Sequence, residues 1–412
     1  KQMNRLVQGD VGSGKTIVAF LCMLFPIESE AQVAFMAPTE VLAEQHFKSI
    51  LSQAEKLNLK VGLLTGSTKK KDRDLLLKRL VEGKINVLIG THALIEKRVK
   101  FKKLGLVVID EQHKFGVAQR AKLWSKKEKY YPHVLVMTAT PIPRTLALTL
   151  YGDLDVSVID ELPKGRKKII TSHRNDNSRL KVLNFIKQTV ESGSQVYIVY
   201  PLIEESAKKD HKDLMDGYDS LKRYFPNLQV GVLHGRMKSE NKDYEMRRFQ
   251  EGKSKVLVST TVVEVGVDVP DATIMVIEHA ERFGLSQLHQ LRGRVGRGKS
   301  PSTCLLLYHP PLNETARLRI QTIRDSDDGF AIAEQDLKLR GSGELLGTRQ
   351  SGLPEMRIAN LDIHYDLLTK AQKDAEDILS LDPLLKTKRG AALRTLLYLF
   401  ERDTAVQYLN SG

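Results

Sequence analysis

Short aliphatic and β-branched runs recur along this chain with helix-like stretches between them, and the whole pattern occurs twice. The first set covers residues 5–8, 33–37, 61–65, 86–89, 106–110 and 134–137, with helical periodicity over 15–24, 40–57 and 70–81. A strand that is apolar at every position buries both of its faces. Such strands fit a parallel sheet with helices on each side. The pattern restarts after 161–166, a charged Glu-Leu-Pro-Lys-Gly-Arg linker, with runs at 195–199, 229–233, 256–259, 273–277 and 303–307. Beyond Pro310-Pro311 helical patterns dominate. A chain of 412 residues exceeds what one core organises. The expected architecture is α/β: two tandem parallel-sheet domains, 1–160 and 161–310, followed by a mainly helical segment, 311–412. No low-complexity tract or short-period repeat is evident.

Ligands of open parallel sheets bind at the carboxyl ends of the strands, and the chemistry-bearing residues fall there. Gly9-Asp10-Val11-Gly12-Ser13-Gly14-Lys15-Thr16 lies between the first run and the first helical stretch, the context that a phosphate-binding loop requires. The glycines let successive N–H groups face phosphate oxygens, and the following helix directs its positive end at the same anion. Lys15 is placed to reach the terminal phosphates and Thr16 to ligate magnesium. The bland alternative is a glycine turn before an ordinary helix. Asp110 and Glu111 close an apolar strand, in a quartet with Gln112 and His113. Asp110 is expected to hold magnesium, and Glu111 to orient and deprotonate water. Together they point to hydrolysis of a nucleoside triphosphate, ATP with Mg2+.

In the second set, 290–297 reads Q-L-R-G-R-V-G-R. Phosphoryl transfer needs positive charge beside the leaving phosphate, which an arginine fork provides. Arg297 is the expected finger, with Arg294 beside it and Gln290 near the water; a plain nucleic-acid patch is the alternative. Because loop and finger come from different domains, hydrolysis would depend on closure.

Sixty-four basic against fifty acidic residues leave a net charge of +14, which favours a polyanionic partner, nucleic acid before an anionic membrane. No apolar run reaches membrane-spanning length. Cys22 and Cys304, each in an apolar run, read as reduced thiols of a cytoplasmic protein. Lys69-Lys70-Lys71 and the lysines of 97–103 read as solvated faces, and Trp124 as a packing residue. The apolar stretch 391–400 reads as a helix of no derivable role.

The motifs then carry a resemblance. Ala37-Pro38-Thr39-Glu40, Thr65-Gly66-Ser67, Gly90-Thr91-His92, the Asp-Glu-Gln-His quartet, Thr138-Ala139-Thr140-Pro141, His234-Gly235-Arg236, Ser259-Thr260-Thr261 and Gly266-Val267-Asp268 stand in the order of a superfamily 2 helicase core. More narrowly, 137–155, 283–298 and 332–352 resemble signatures of the RecG family of ATP-dependent DNA helicases; the last is similar to a translocation motif shared with the transcription-repair coupling factor.

The resemblance implies RecA-like domains and a 3′-to-5′ DNA helicase that pulls duplex DNA. Its implied substrates are branched DNA, stalled forks and Holliday junctions, in recombination and repair. It further implies a monomer on the bacterial nucleoid, with single-strand-binding protein as a partner. Gly266 and Asp268 would join the nucleotide site; Thr39, Gly66, Thr91, His234 and Thr261 would touch the nucleic-acid backbone. Thr138, Thr140, Arg340, Arg349 and Gln350 would couple closure to movement, with Glu344 in an internal ion pair. Helix caps and turns are the bland reading of several of these. The family's amino-terminal wedge region has no counterpart here, so the chain is expected to be the motor part of a longer protein. A coupling-factor-type translocase, an RNA helicase and a non-catalytic DNA-binding module remain the alternatives.

Overall fold

The computed structural model describes residues 2–111, 132–139, 154–161, 167–201, 207–260, 269–296, 298, 300–347 and 365–399. Among them, one sheet is built from β1 (Asn4–Gly9), β2 (Gln32–Met36), β3 (Val61–Leu64), β4 (Val87–Gly90), β5 (Leu104–Asp110), β6 (His133–Thr138) and β7 (Asp155–Ile159). Its order is β3-β4-β2-β5-β6-β1-β7, and every pairing is parallel. A second sheet comprises β8 (Ile169–Asn175), β9 (Gln195–Val199), β10 (Val230–Leu233), β11 (Val256–Ser259), β12 (Ala272–Ile277) and β13 (Ser302–Tyr308). Its order is β10-β11-β9-β12-β13-β8, also all parallel. The fold is two parallel sheets with helices, as the apolar runs imply, in the RecA-like form that the resemblance implies.

The strand period explains why these runs are apolar throughout. In β2, Val33 and Phe35 enter one core cluster while Ala34 and Met36 enter the cluster on the opposite face. In β9, Tyr197 and Val199 face one cluster, and Val196 and Ile198 the other. Successive side chains of a strand point to opposite faces, so a doubly covered strand is apolar on both faces along its middle. Edge strands relax that rule, β3 and β10 at alternate positions, and two of them also escape the sequence reading. β7 and β8 carry half-exposed residues because each lies at a sheet edge. They pair with β1 and β13 respectively, where full burial is not required.

Two buried glutamines are committed to the backbone. Gln32 donates to the carbonyls of Leu80 and Ile85 (2.9 and 2.8 Å) and accepts from the Lys102 N–H at 2.7 Å. Gln195 donates to Phe249 and Ser254 at 2.6 and 2.9 Å. Each ties the end of one helix to the start of the next strand.

Contacts divide the described chain into two compact units, one running to Leu339 and one from Arg340. Within the first, Ile320 and Ile323 of helix Glu314–Asp325 and Ile332 of helix Gly329–Gly347 join the second sheet's core. The second unit holds helices Tyr365–Leu381 and Lys388–Leu399. Asp382 organises the turn between them by accepting from the N–H groups of Lys386 and Thr387, both at 2.8 Å. The helix read at 391–400 runs Lys388–Leu399, and its Tyr398 and Leu399 are exposed. No described helix is long and apolar enough to cross a membrane.

Candidate nucleotide and nucleic-acid site

The carboxyl edge of the first sheet collects the candidate residues, and the strand order sorts them. Gly66, Thr91 and Thr39 follow β3, β4 and β2. Asp110, Thr138 and the loop of Gly9 to Thr16 follow β5, β6 and β1. The nucleic-acid candidates therefore occupy one half of the edge and the nucleotide candidates the other, with the division between β2 and β5.

The loop turns sharply into helix Lys15–Glu28. Gly12 and Gly14 have φ of 79° and 93°, the left-handed region that favours glycine. Gly14 caps the helix, and the N–H groups of Ile17 and Val18 return to its carbonyl. Lys15 Nζ donates back to the carbonyls of Gly9 and Asp10 at 2.9 and 2.8 Å. Burial pushes its pKa down, against the upward pull of Asp110, Glu111 and Asp10, and Arg294 pushes it down further. Thr16 is the second residue of that helix.

Asp110 is buried, with both carboxylate oxygens engaged. Oδ2 accepts from His46 Nε2 at 2.8 Å, and Oδ1 accepts from the Glu111 N–H at 3.1 Å. Burial alone would raise this carboxyl; the His46 hydrogen bond, with His46 and Lys15 charge, holds it below the usual range. Glu111 has φ of 50°, a conformation that non-glycine residues seldom adopt and that is found at functional sites. Burial and the neighbouring Asp110 push its carboxyl up to about 7, against the pull of Arg294 and Lys15. One carboxylate is thus held ionised and its neighbour is poised to exchange a proton, the separation that acid–base work needs.

The second sheet supplies the facing wall through helix Leu285–Arg292. His289 Nε2 meets Asp10 Oδ1 at 3.1 Å, while its Nδ1 accepts from Arg292 at 3.0 Å. That pairing assigns the proton to Nε2, so the histidine donates to Asp10 in the loop of Gly9 to Thr16. Arg292 is anchored in turn on the carbonyls of Ile323 and Ser326, each at 2.7 Å. A Cβ at Gly293 would stand 3.2 Å from Val11, so the backbones approach closely there. Arg294 is buried, and its charge acts on both Lys15 and Glu111. Asp10, His289, Arg292, Gly293 and the basic pair Lys167-Lys168 line a cavity of about 260 Å³.

Three family models match this chain: "DEAD/DEAH box helicase" over 1–149, "Helicase conserved C-terminal domain" over 161–299, and "ATP-dependent DNA helicase RecG, domain 3, C-terminal" over 326–405. The Synechocystis protein named ATP-dependent DNA helicase RecG is 54% identical over 385 residues, 93% of this chain and 46% of its own length. The chain belongs to the RecG family of helicases. The Bacillus subtilis RecG is 50% identical, covering 95% of this chain and 57% of that protein. This RecG-family chain therefore spans about half the length of the relatives it matches. A solved structure of RecG bound to a three-way DNA junction is 45% identical with a TM-score of 0.74, covering 89% of this chain and 48% of that one. Yeast Dbp5 bound to RNA and ADP BeF3, 18% identical with a TM-score of 0.57 over 90% of this chain and 89% of that one, shares the fold alone.

Within this RecG-family edge, Thr39 caps helix Glu40–Ala54 by accepting from the Leu42 N–H at 3.3 Å. Gly66 is exposed. The neighbouring Ser67 donates its N–H and hydroxyl to Glu40, at 3.1 and 2.6 Å. Thr91 is buried, with its exposed neighbour His92 nearer to solvent. His234 and Gln290 are half-buried beyond β10 and in helix Leu285–Arg292. Thr138 ends β6, in register with Gln8. Gln112, His113, Trp124, Thr140, Thr261, Gly266, Asp268, Arg297, Arg349 and Gln350 lie outside the described residues, as do the side chains of Arg340 and Glu344. His46, His289 and Arg292 were not legible as site residues in the chain. Each partners a residue far away in sequence, and a polar side chain on an amphipathic helix gives no local signal.

Proposed function

We propose that this chain is the ATP-driven motor of a DNA helicase, one that translocates on duplex DNA and remodels branched structures such as forks and junctions. The observation that carries the reading is the joint site. A phosphate loop and an acid pair on one sheet meet a His–Arg-braced helix from the other, so the second domain senses the first at the nucleotide. The half-length match to a RecG solved on a three-way DNA junction supports DNA as the track. The net charge of +14 agrees.

In this reading the backbone of residues 9–16 and Lys15 hold ATP phosphates. Their fit rests on the left-handed glycines and on the cationic Lys15 facing two carboxylates. Thr16 and Asp110 supply hard oxygens suited to Mg2+, which takes few protein ligands beside phosphate and water. The cation would neutralise charge developing on the transferred phosphate. Glu111 accepts the proton of the attacking water, and Arg294, with Gln290 and Arg297, faces the leaving phosphate. Gly266 and Asp268 complete the nucleotide site; Thr39, Gly66, Thr91, His234 and Thr261 track the DNA backbone. Thr138, Thr140, Arg340, Arg349 and Gln350 transmit closure. The division into 1–160, 161–310 and 311–412, 3′-to-5′ polarity, a monomeric state, cytoplasmic location at the nucleoid and a single-strand-binding protein partner belong to the same proposal. ATP turnover measured without DNA, with linear duplex and with a three-way junction tests it. Stimulation greatest on the junction is expected; a folded chain indifferent to every DNA overturns it.

A further inference from the structure

Helix Glu40–Ala54 crosses the division that the strand order imposes on the sheet edge. At its start, Thr39 caps the helix and Glu40 grips Ser67, both in the nucleic-acid half. Nearly two turns later His46 donates to Asp110 in the nucleotide half, across 64 positions of sequence, at 2.8 Å. Its imidazole is buried and rests against Phe35, with ring centroids 4.6 Å apart, so it has little freedom to move apart from the helix. The same helix faces the second domain: Glu44 pairs with Arg247 at 2.7 Å, and Val41 joins that domain's core cluster. No other described side chain is hydrogen-bonded to the Asp110 carboxylate.

We propose that His46 is a positioning residue that ties the DNA-facing end of helix Glu40–Ala54 to the magnesium-binding carboxylate of Asp110. A displacement of Thr39 and Glu40 as the backbone of DNA engages the edge is carried by a rigid helix to Nε2, and there it sets the aim of Asp110. This rests on the function proposed above. It adds a physical path by which DNA would change the metal site without touching it. A bond from outside the ligand set that orients a metal ligand is worth about 10–100-fold in metal affinity when lost.

The test uses the whole chain with a fluorescent ATP analogue, magnesium titrated with and without a three-way junction. His46→Phe keeps the volume and the contact with Phe35 but removes the donor; His46→Gln keeps an amide donor of similar reach. His46→Phe is expected to raise the magnesium needed for half-saturation about 10–100-fold, to leave analogue binding in EDTA unchanged, and to abolish the DNA-induced shift. His46→Gln should restore most of both. Thermal unfolding of each variant reports its folding separately, and a merely structural role would weaken binding equally with and without magnesium. Equal magnesium and DNA dependence in wild type and His46→Phe overturns the inference alone. A wild-type chain that binds no nucleotide with magnesium overturns the proposed function and this inference with it.

Discussion

The two sheets are copies in topology and opposites in use. Strands β3-β4-β2-β5-β6-β1 match β10-β11-β9-β12-β13-β8 place for place. The chain repeats itself there: V-G-L-L-T-G-S at 61–67 against V-G-V-L-H-G-R at 230–236, and E-G-K-I-N-V-L-I-G-T at 82–91 against E-G-K-S-K-V-L-V-S-T at 251–260. Gly83 and Gly252 end equivalent helices with φ of 78° and 71°, the left-handed stop that satisfies the last carbonyls. Gln32 and Gln195 make the same lock.

The difference lies at the equivalent helix starts. After β1 the chain forms a glycine loop and leaves Lys15 bonded to its own backbone, opposite Asp110 and Glu111. After β8 the corresponding helix begins at Arg179, which pairs with Glu278 beyond β12 at 3.0 Å and donates to Tyr200 at 3.3 Å. One copy leaves its lysine on backbone carbonyls and the other pairs its arginine with a carboxylate. On the function proposed above, a duplicated fold needs the chemistry only once, and the second copy is left to stabilise itself.

The largest expected break in this comparison is kinetic. Lys15→Ala should lower DNA-stimulated ATP turnover by about 10³-fold while DNA affinity at fixed salt stays within a few-fold. Arg179→Met, its counterpart, should leave turnover nearly intact. Turnover equally sensitive at both positions would erase the division of labour.

The glutamine locks come next and should behave alike. Gln32→Leu strands several backbone groups and is expected to cost about 3 kcal/mol; Gln195→Leu, with fewer groups stranded, about 2 kcal/mol, read by urea unfolding. Arg179→Met should cost about 1–2 kcal/mol at neutral pH, because it leaves Glu278 buried without its cation. The half-exposed arginine keeps that figure low.

The pH dependence sharpens the contrast further. Glu111 is raised in the fold from 4.5 to about 7, so the folded state holds its proton longer than the unfolded one. Its stabilising share is complete below pH 4.5 and is lost as pH rises through about 7. Without magnesium, Glu111→Gln should therefore raise Tm at pH 8 relative to wild type and not at pH 4, while turnover is lost. The smallest effect is chemical. Cys304, buried in β13 with its thiol pushed up to about 12, should resist alkylation until the chain unfolds. The half-buried Cys22 should react first.

Much of this is legible in the chain itself. The phosphate loop and Asp110-Glu111 are contiguous, and their conformations depend on neighbours one to four residues away. The near-continuous apolar runs mark β2, β5 and β9, because these doubly covered strands admit polar residues only at their ends. The edge strands β7 and β8 are not legible in the chain, because half-exposed strands look like loops. The domain-length repeat of 61–91 and 230–260 was in the chain too, but it emerges only when strands are compared by position in the sheet.

Local chemistry along the chain was sufficient for the fold class and for the conformation of the glycine loop, since strand period and backbone freedom at glycine are properties of short segments. Which distant side chains meet them was left to packing. His46 on Asp110, His289 on Asp10 and Arg292 on the carbonyl of Ile323 each join residues 31 to 279 positions apart. A hydrogen bond is specified by distance and angle, and for such pairs those are settled only once both sheets and their helices have packed.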